Sequence, residues 1–216
     1  MGPAHGCDLT DIWIGPIAKK NVETCPVETI DFSIYRDDGL DLLKNGEADL
    51  EQYKEHMDSL HPNLKWDIKS GKEGAYLDLV LMIVDGKIET KVYTKSEPIY
   101  LNPTSSHDPS FFKGLYKGVG LRLRLNNSRD EDFKEAVEKY SKAFAVSGHH
   151  FQTAKTELLK FGDMNRDLYL KENVSNVYMG GGFTTVAYQK IDYQIRINDN
   201  DEIKILLNAV MDKKRY

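Results

Sequence analysis

Asp85-Gly86 lies between two β-rich runs, in AYLDLVLMIVDGKIETKVYTK (75–95). An Asp-Gly pair flanked in this way is the signature of a type I′ hairpin, because both central residues of that turn need positive φ. This pair constrains the chain more than any other local feature, since it commits residues 75–94 to an antiparallel hairpin. A second hairpin is predicted at 29–43. Thr29–Tyr35 alternates, with Ile30, Phe32 and Ile34 on one face and Asp31, Ser33 and Tyr35 on the other. Asp37-Asp38-Gly39 then reads as a turn and Leu40–Leu43 as the return strand.

Helical patterns surround these hairpins. DLTDIWIGPIAKKNVE (8–23) has an apolar side of Ile12, Ile14, Ile17 and Ala18, weakened by Gly15-Pro16. EADLEQYKEHMDSLH (47–61) spaces Leu50, Tyr53, Met57 and Leu60 as one helix face, predicted to cover the sheet. LKWDIK (64–69) alternates as a strand. After a loop at 101–110, helices are predicted over about 111–126, 130–146 and 150–161, with Ser128-Arg129-Asp130-Glu131 as a cap and Gly148 as a stop. DEIKILLNAVMDKK, near the C-terminus, reads as helical. Strands and helices are segregated along the chain, which indicates α+β architecture.

The 216 residues suffice for one large or two small domains with a real core, and 40% hydrophobic and 29% charged residues are ordinary for a globular chain. No apolar run approaches the length that spans a bilayer, no basic-then-apolar leader opens the chain, and two cysteines make neither a disulfide framework nor a zinc site. A reduced intracellular setting, cytoplasmic or nuclear, is the expectation. A net charge of −5 argues against nucleic-acid binding by bulk charge. Charge is segregated, however: FFKGLYKGVGLRLRL (111–125) carries Lys113, Lys117, Arg122 and Arg124 and no acidic residue. Trp13 and Trp66 read as core residues, and His61, His107 and the His149-His150 pair as structural.

Two adjacent carboxylates at the tip of an apolar hairpin repel one another unless a cation lies beside them. Either Asp37-Asp38-Gly39 is ordinary turn chemistry, or the tip holds a hard divalent ion, which takes one or two carboxylates plus substrate phosphates. Tyr35-Arg36-Asp37-Asp38 resembles the tyrosine–any–Asp–Asp box of reverse transcriptases. MGPAHGCDLTDIWIG resembles the glycine-bearing segment and helix before that box. The stretch after it is similar to Penelope-like and related retroelement polymerases: Leu60-His61-Pro62 at a helix end, a Tyr76-Leu77-Asp78-Leu79 strand, and the Asp85-Gly86 hairpin. SSHDPSFFKGLYKGVGLRLRLNNSRDEDF is similar to their following loop and Arg-rich helix, so the resemblance runs in order from residue 1 to about 161.

The resemblance implies a partial palm over 1–100, a helical thumb-like region over 101–162, and an extension of unknown role over 163–216. Asp37 and Asp38 would bind catalytic magnesium or manganese, Tyr35 would line the site near the primer end, and Gly2 would lie against template and nucleotide. The Asp85-Gly86 hairpin would grip the primer. Lys113, Lys117, Arg122 and Arg124 would meet nucleic-acid phosphate. The implied partners are an RNA template, a DNA primer, deoxynucleoside triphosphates and no membrane. The family also needs an Asp on an earlier strand and a fingers region. Neither is found here, so a truncated product is expected, inactive alone and completed by a polymerase segment in trans. Two other readings stay open: a non-catalytic nucleic-acid-binding module, and a general α+β interaction protein.

Overall fold

A computed structural model of the chain describes residues 6–36, 38–170 and 204–207, with the backbone alone for 6–11 and 204–207. The protein is α+β. In chain order come α1 (Gly6–Thr24), β1 (Thr29–Tyr35), β2 (Asp38–Leu43), α2 (Glu47–Ser59), β3 (Lys69–Gly71), β4 (Glu73–Tyr76), β5 (Leu79–Val84) and β6 (Lys87–Val92). They are followed by α3 (Pro109–Asn126), α4 (Asp130–Val146), α5 (Phe151–Leu159) and β7 (Lys204–Leu207). The strands make two sheets, ordered β1-β2-β7-β3 and β4-β5-β6. Among the described residues no helix is long and apolar enough to cross a membrane.

Both expected hairpins form. Asp85 and Gly86 have φ of 48° and 69°, the paired left-handed geometry that the sequence demanded. The first run of that region is nevertheless broken: Tyr76-Leu77-Asp78-Leu79 is a turn between β4 and β5, with Leu77 at φ 52°, and not the continuous strand expected. Two further expectations fail. Residues 64–68 bury Leu64 and half-bury Trp66 and Ile68 in strict alternation, but the backbone makes only a bridge at Trp66 and β3 begins at Lys69. Alternation records which side chains face a core, not whether the backbone finds a ladder partner. Within the C-terminal stretch read as helical, Lys204–Leu207 is a strand, paired antiparallel to both β2 and β3.

The chain divides into two units. One holds the described residues through Leu77, with Leu81–Ile88 and β7; the other holds Asp78–Val80 and the described residues from Glu89.

In the first unit the β1-β2 hairpin has two covered faces. Leu43 of β2 packs with Ile14 and Ile17 of α1 and Tyr53 and Met57 of α2, joined by Leu60 and Leu64. Leu50 packs partly against the same cluster, so α2 covers the sheet through all four expected residues. α1 runs through Pro16 and buries Ile14, Ile17 and Asn21, one stripe at helical spacing. Ile12 points outward, 71% exposed, because it lies off that stripe. Trp13 is also partly exposed and sits edge-on to His61, so it is not a core residue. On the other face of the hairpin, Leu40 and Leu42 pack with Tyr76 and Leu81. A register shift between Thr29 and Asp31 turns Ile30 to this second face, whereas Ile34 packs on the first. The three apolar residues of β1 therefore do not share one face.

The second unit centres on α4, whose Phe133, Val137, Tyr140 and Phe144 are buried with Leu123 of α3 and Ala154 and Leu158 of α5. Tyr100 stacks on Phe144 with centroids 3.8 Å apart. His149 Nε2 donates to the Leu101 carbonyl at 2.8 Å, so Nδ1 accepts from the Tyr116 hydroxyl at 2.6 Å. That imidazole is structural: it ties the 101 loop to α3. Asp108 caps α3 by accepting from Ser110 N at 2.7 Å, and the Ser110 hydroxyl, followed by this backbone bond, lowers its carboxyl pKa. The expected Ser128 cap of α4 is absent, because Ser128 Oγ accepts from Thr90 N instead.

α3 tolerates three glycines for different reasons. A Cβ at Gly114 or Gly118 would meet nothing within 4 Å, whereas one at Gly120 would overlap the Phe161 ring. Gly114→Ala and Gly118→Ala are expected to raise unfolding free energy by up to about 1 kcal/mol each, the helix-propensity gain. Gly120→Ala should lose about 1–3 kcal/mol to overpacking before that gain is counted. Urea melts of the three single variants check the contrast; similar shifts at all three positions would contradict it.

Candidate functional site

The hairpin tip is tighter than its sequence suggested. Tyr35 pairs with Asp38 and Ile34 with Gly39, so the loop is the two residues 36 and 37, and Asp38 and Gly39 belong to β2. Arg36 takes φ 56°, the left-handed conformation that a two-residue hairpin loop requires, and its guanidinium lies over the Tyr35 ring, 4.9 Å from the centroid. Asp37, the first carboxylate of the box, and Gly2 lie outside the described residues.

Cross-strand pairing sorts the hairpin side chains. Tyr35 and Asp38 are partners and share a face with Ser33, which pairs with Leu40. Tyr76 comes to that face from β4, with its hydroxyl 3.2 Å from Ser33 Oγ. Burial pushes the Tyr76 phenol up; the Ser33 hydrogen bond opposes this, and the charges of Asp38 and Asp31 add to the rise. The site thus has a half-buried carboxylate, a partly exposed tyrosine, a serine hydroxyl and a second phenol on one side of the strand pair. The sequence reading named only Tyr35 and Asp38 among these. Ser33 was assigned to the correct face, whereas Tyr76, read only as the start of a strand motif, is delivered to the site by a separate strand.

Asp31 lies on the same strand as Tyr35 but four residues back, about 13 Å at the usual strand rise. It is too distant to share an ion with Asp38, because a bridging pair of metals stands only about 4 Å apart. Among the described residues no three His, Cys, Asp or Glu side chains converge as a metal-binding group.

The other face of β2 carries Asp41, which the sequence reading passed over. It is 2% exposed, and burial, followed by the weaker repulsion of Asp31, raises its carboxyl pKa to about 7 against the pull of the Tyr53 hydroxyl and the Leu42 backbone. The signal was there: an aspartate inside the apolar run Leu40–Leu43 of a strand covered on both faces.

The four basic residues of α3 do not form one surface. Lys113 and Lys117 are exposed and one helical turn apart, so they point the same way. Arg122 is nine residues beyond Lys113, roughly half a revolution around the helix, and forms an ion pair with Asp78 at 2.9 Å. Arg124 is only 9% exposed. Its Nε donates to the Met164 carbonyl at 3.3 Å, its Nη1 stands 3.0 Å from Asp130, and its guanidinium lies over Phe133. Arg124 is a structural residue and is withdrawn from the phosphate-binding set. The apolar and glycine residues Phe111, Gly114, Leu115, Gly118 and Val119 line an open groove of about 440 Å³ along the same helix.

No protein-family model, no curated protein and no solved structure matches the chain.

Proposed function

We propose that the chain is the palm and thumb part of an RNA-directed DNA polymerase of a Penelope-like or related retroelement. The observation that carries this reading is the Tyr35-Arg36-Asp37-Asp38 box on a two-residue hairpin loop, with Tyr35 and Asp38 as a cross-strand pair. Asp37 and Asp38 would hold magnesium or manganese, which when bound would neutralise the charge that develops on a transferred phosphoryl group. Tyr35, beside Asp38, would bear on the primer end, with Ser33 and Tyr76 bracing the strand beneath it. The two aspartates supply one side of a two-metal cage, so the opposite carboxylate must come from another segment. Lys113 and Lys117 would contact the phosphate backbone; Arg122 would do so only by leaving Asp78.

A second reading, nucleic-acid binding without catalysis, is favoured by one observation: Lys113 and Lys117 are exposed on the turns that carry the open positions Gly114 and Gly118.

Manganese binding, followed by electron paramagnetic resonance, tests the first reading. Binding by the wild-type chain that disappears in Asp37→Asn is expected. Equal binding by both would remove the tip from the metal account. The phosphate contacts are tested by primer–template affinity against salt. Lys113→Gln combined with Lys117→Gln should reduce the log–log slope by about 2, near 0.9 for each lost contact. Arg124→Gln should leave the slope unchanged and lower stability instead. Metal binding lost with the slope intact would separate the two readings.

A further inference from the structure

On the helix-facing side of the hairpin, among the described residues, buried acceptor oxygens outnumber the donors that reach them. Asn21 of α1, Asp41 of β2 and Tyr53 of α2 are 1%, 2% and 3% exposed. Asn21 Oδ1 and both Asp41 carboxylate oxygens complete no hydrogen bond of standard geometry. Burial raises the pKa of the Tyr53 phenol, Asp41 adds to the rise, and Asn21 acts on it in the opposite sense, so both residues neighbour its hydroxyl. It has one proton to give, and the Asn21 amide N–H groups, although donors, leave all three oxygens unsatisfied. A buried acceptor without a donor destabilises the fold, and a buried carboxylate charge does so more strongly.

The other titratable groups facing Asp41 make its ionisation harder. Asp31 of β1 acts on it as a like charge. Cys25, just after α1, is a half-buried free thiol that feels both Asp41 and Asp49 of α2 as negative charges. Lys20, one residue from Asn21, sends its ammonium to the Leu60 carbonyl, 3.4 Å away. β7 meets Asp41 through the backbone pairing with Leu206. Among the described residues, none of the groups acting on the Asp41 carboxyl is a cation.

We propose that Asp41 is a proton-operated latch: protonated, its carboxyl supplies the missing donor and lets α1 and α2 close on the β1-β2 hairpin; ionised, it draws water into that core and loosens them. The hairpin held in this way is the one that carries the Tyr35–Asp38 tip, three residues along β2 from Asp41. The latch does not depend on the polymerase reading, because it follows from the donor deficit alone.

Amide hydrogen exchange of the full chain, with opening constants corrected for the intrinsic rise of exchange with pH, tests it. The opening constants of α1 and α2 amides should rise roughly 30-fold between pH 5.5 and 8.5 in the wild type, the change linked to one carboxyl that titrates near neutrality. They should stay flat in Asp41→Asn, whose amide is neutral throughout. A flat wild type, or the same rise in the variant, overturns the latch. Should Asp41→Asn not fold, infrared difference spectra of the wild type with isotope-labelled aspartate decide the matter. A protonated carboxyl band present at pH 5.5 and lost by pH 8.5 is the expected result; its absence at pH 5.5 overturns the proposal.

Discussion

Phe144→Ala is expected to lose about 3–5 kcal/mol of stability, the cost of emptying a fully buried aromatic site. Phe144 has no exposed surface and meets three rings: Tyr100 stacked at 3.8 Å, and Tyr116 and His149 with centroids 5.0 Å away. Those rings come from the loop before α3, from α3 itself and from the corner between α4 and α5, so the space cannot close by the shift of one element. His149 is also fixed at both ring nitrogens, which limits relaxation further. Denaturant unfolding followed by near-ultraviolet circular dichroism checks the prediction. A loss below about 1 kcal/mol would show that the Tyr100 stack is not held in solution.

The second large effect concerns the pH dependence of stability. Asp41 titrates at about 7 in the folded protein, against an ordinary carboxylate value of about 3.9 unfolded. Between these values the folded state binds more protons than the unfolded one. Stability is therefore fully present below about pH 4 and falls as pH rises through 7, where the loss levels off. Three pH units of displacement correspond to roughly 4 kcal/mol, an upper figure because water entry relieves part of the penalty. Asp41→Asn carries no such charge. Its unfolding free energy should exceed that of the wild type by a few kcal/mol at pH 8, with the gap closing toward pH 4. Urea titrations at both pH values decide this; a gap that does not change with pH would place the effect in packing and not in ionisation.

The metal site proposed at the tip would follow a different pH logic. Asp38 is only half-buried and lies on the opposite face of β2 from Asp41, so ionisation of Asp41 would act on the tip through the looseness of the hairpin and not through shared ligands. Manganese binding measured at pH 5.5 and 8.5 in the wild type and in Asp41→Asn would separate the two contributions.

What the sequence determined by itself was local. The Asp85-Gly86 turn, the limits of α4, the length of α3 and the inward stripe of α2 were all readable, because each depends on groups within a few residues: a positive φ, a glycine stop, a helical spacing. The Tyr35–Asp38 box was equally legible, although its loop proved to be residues 36 and 37 and not 37 to 39, since cross-strand pairing places Asp38 in β2. What only the tertiary structure decided was which face each element buries. Arg124 reads as one of four phosphate-seeking cations, yet Phe133, Asp130 and Met164, brought from other segments, enclose it. Asp41 reads as the polar member of an ordinary strand until α1 and α2 cover that side and bury a carboxyl whose oxygens complete no hydrogen bond of standard geometry among the described residues. Trp66 and Ile68 alternate like strand residues, yet among the described residues no backbone pairs with most of that segment, while β7, more than 130 residues later, pairs with β3 just beyond it. Burial and pairing are set by partners distant in sequence, and a local pattern records only that a face is apolar, not what will cover it.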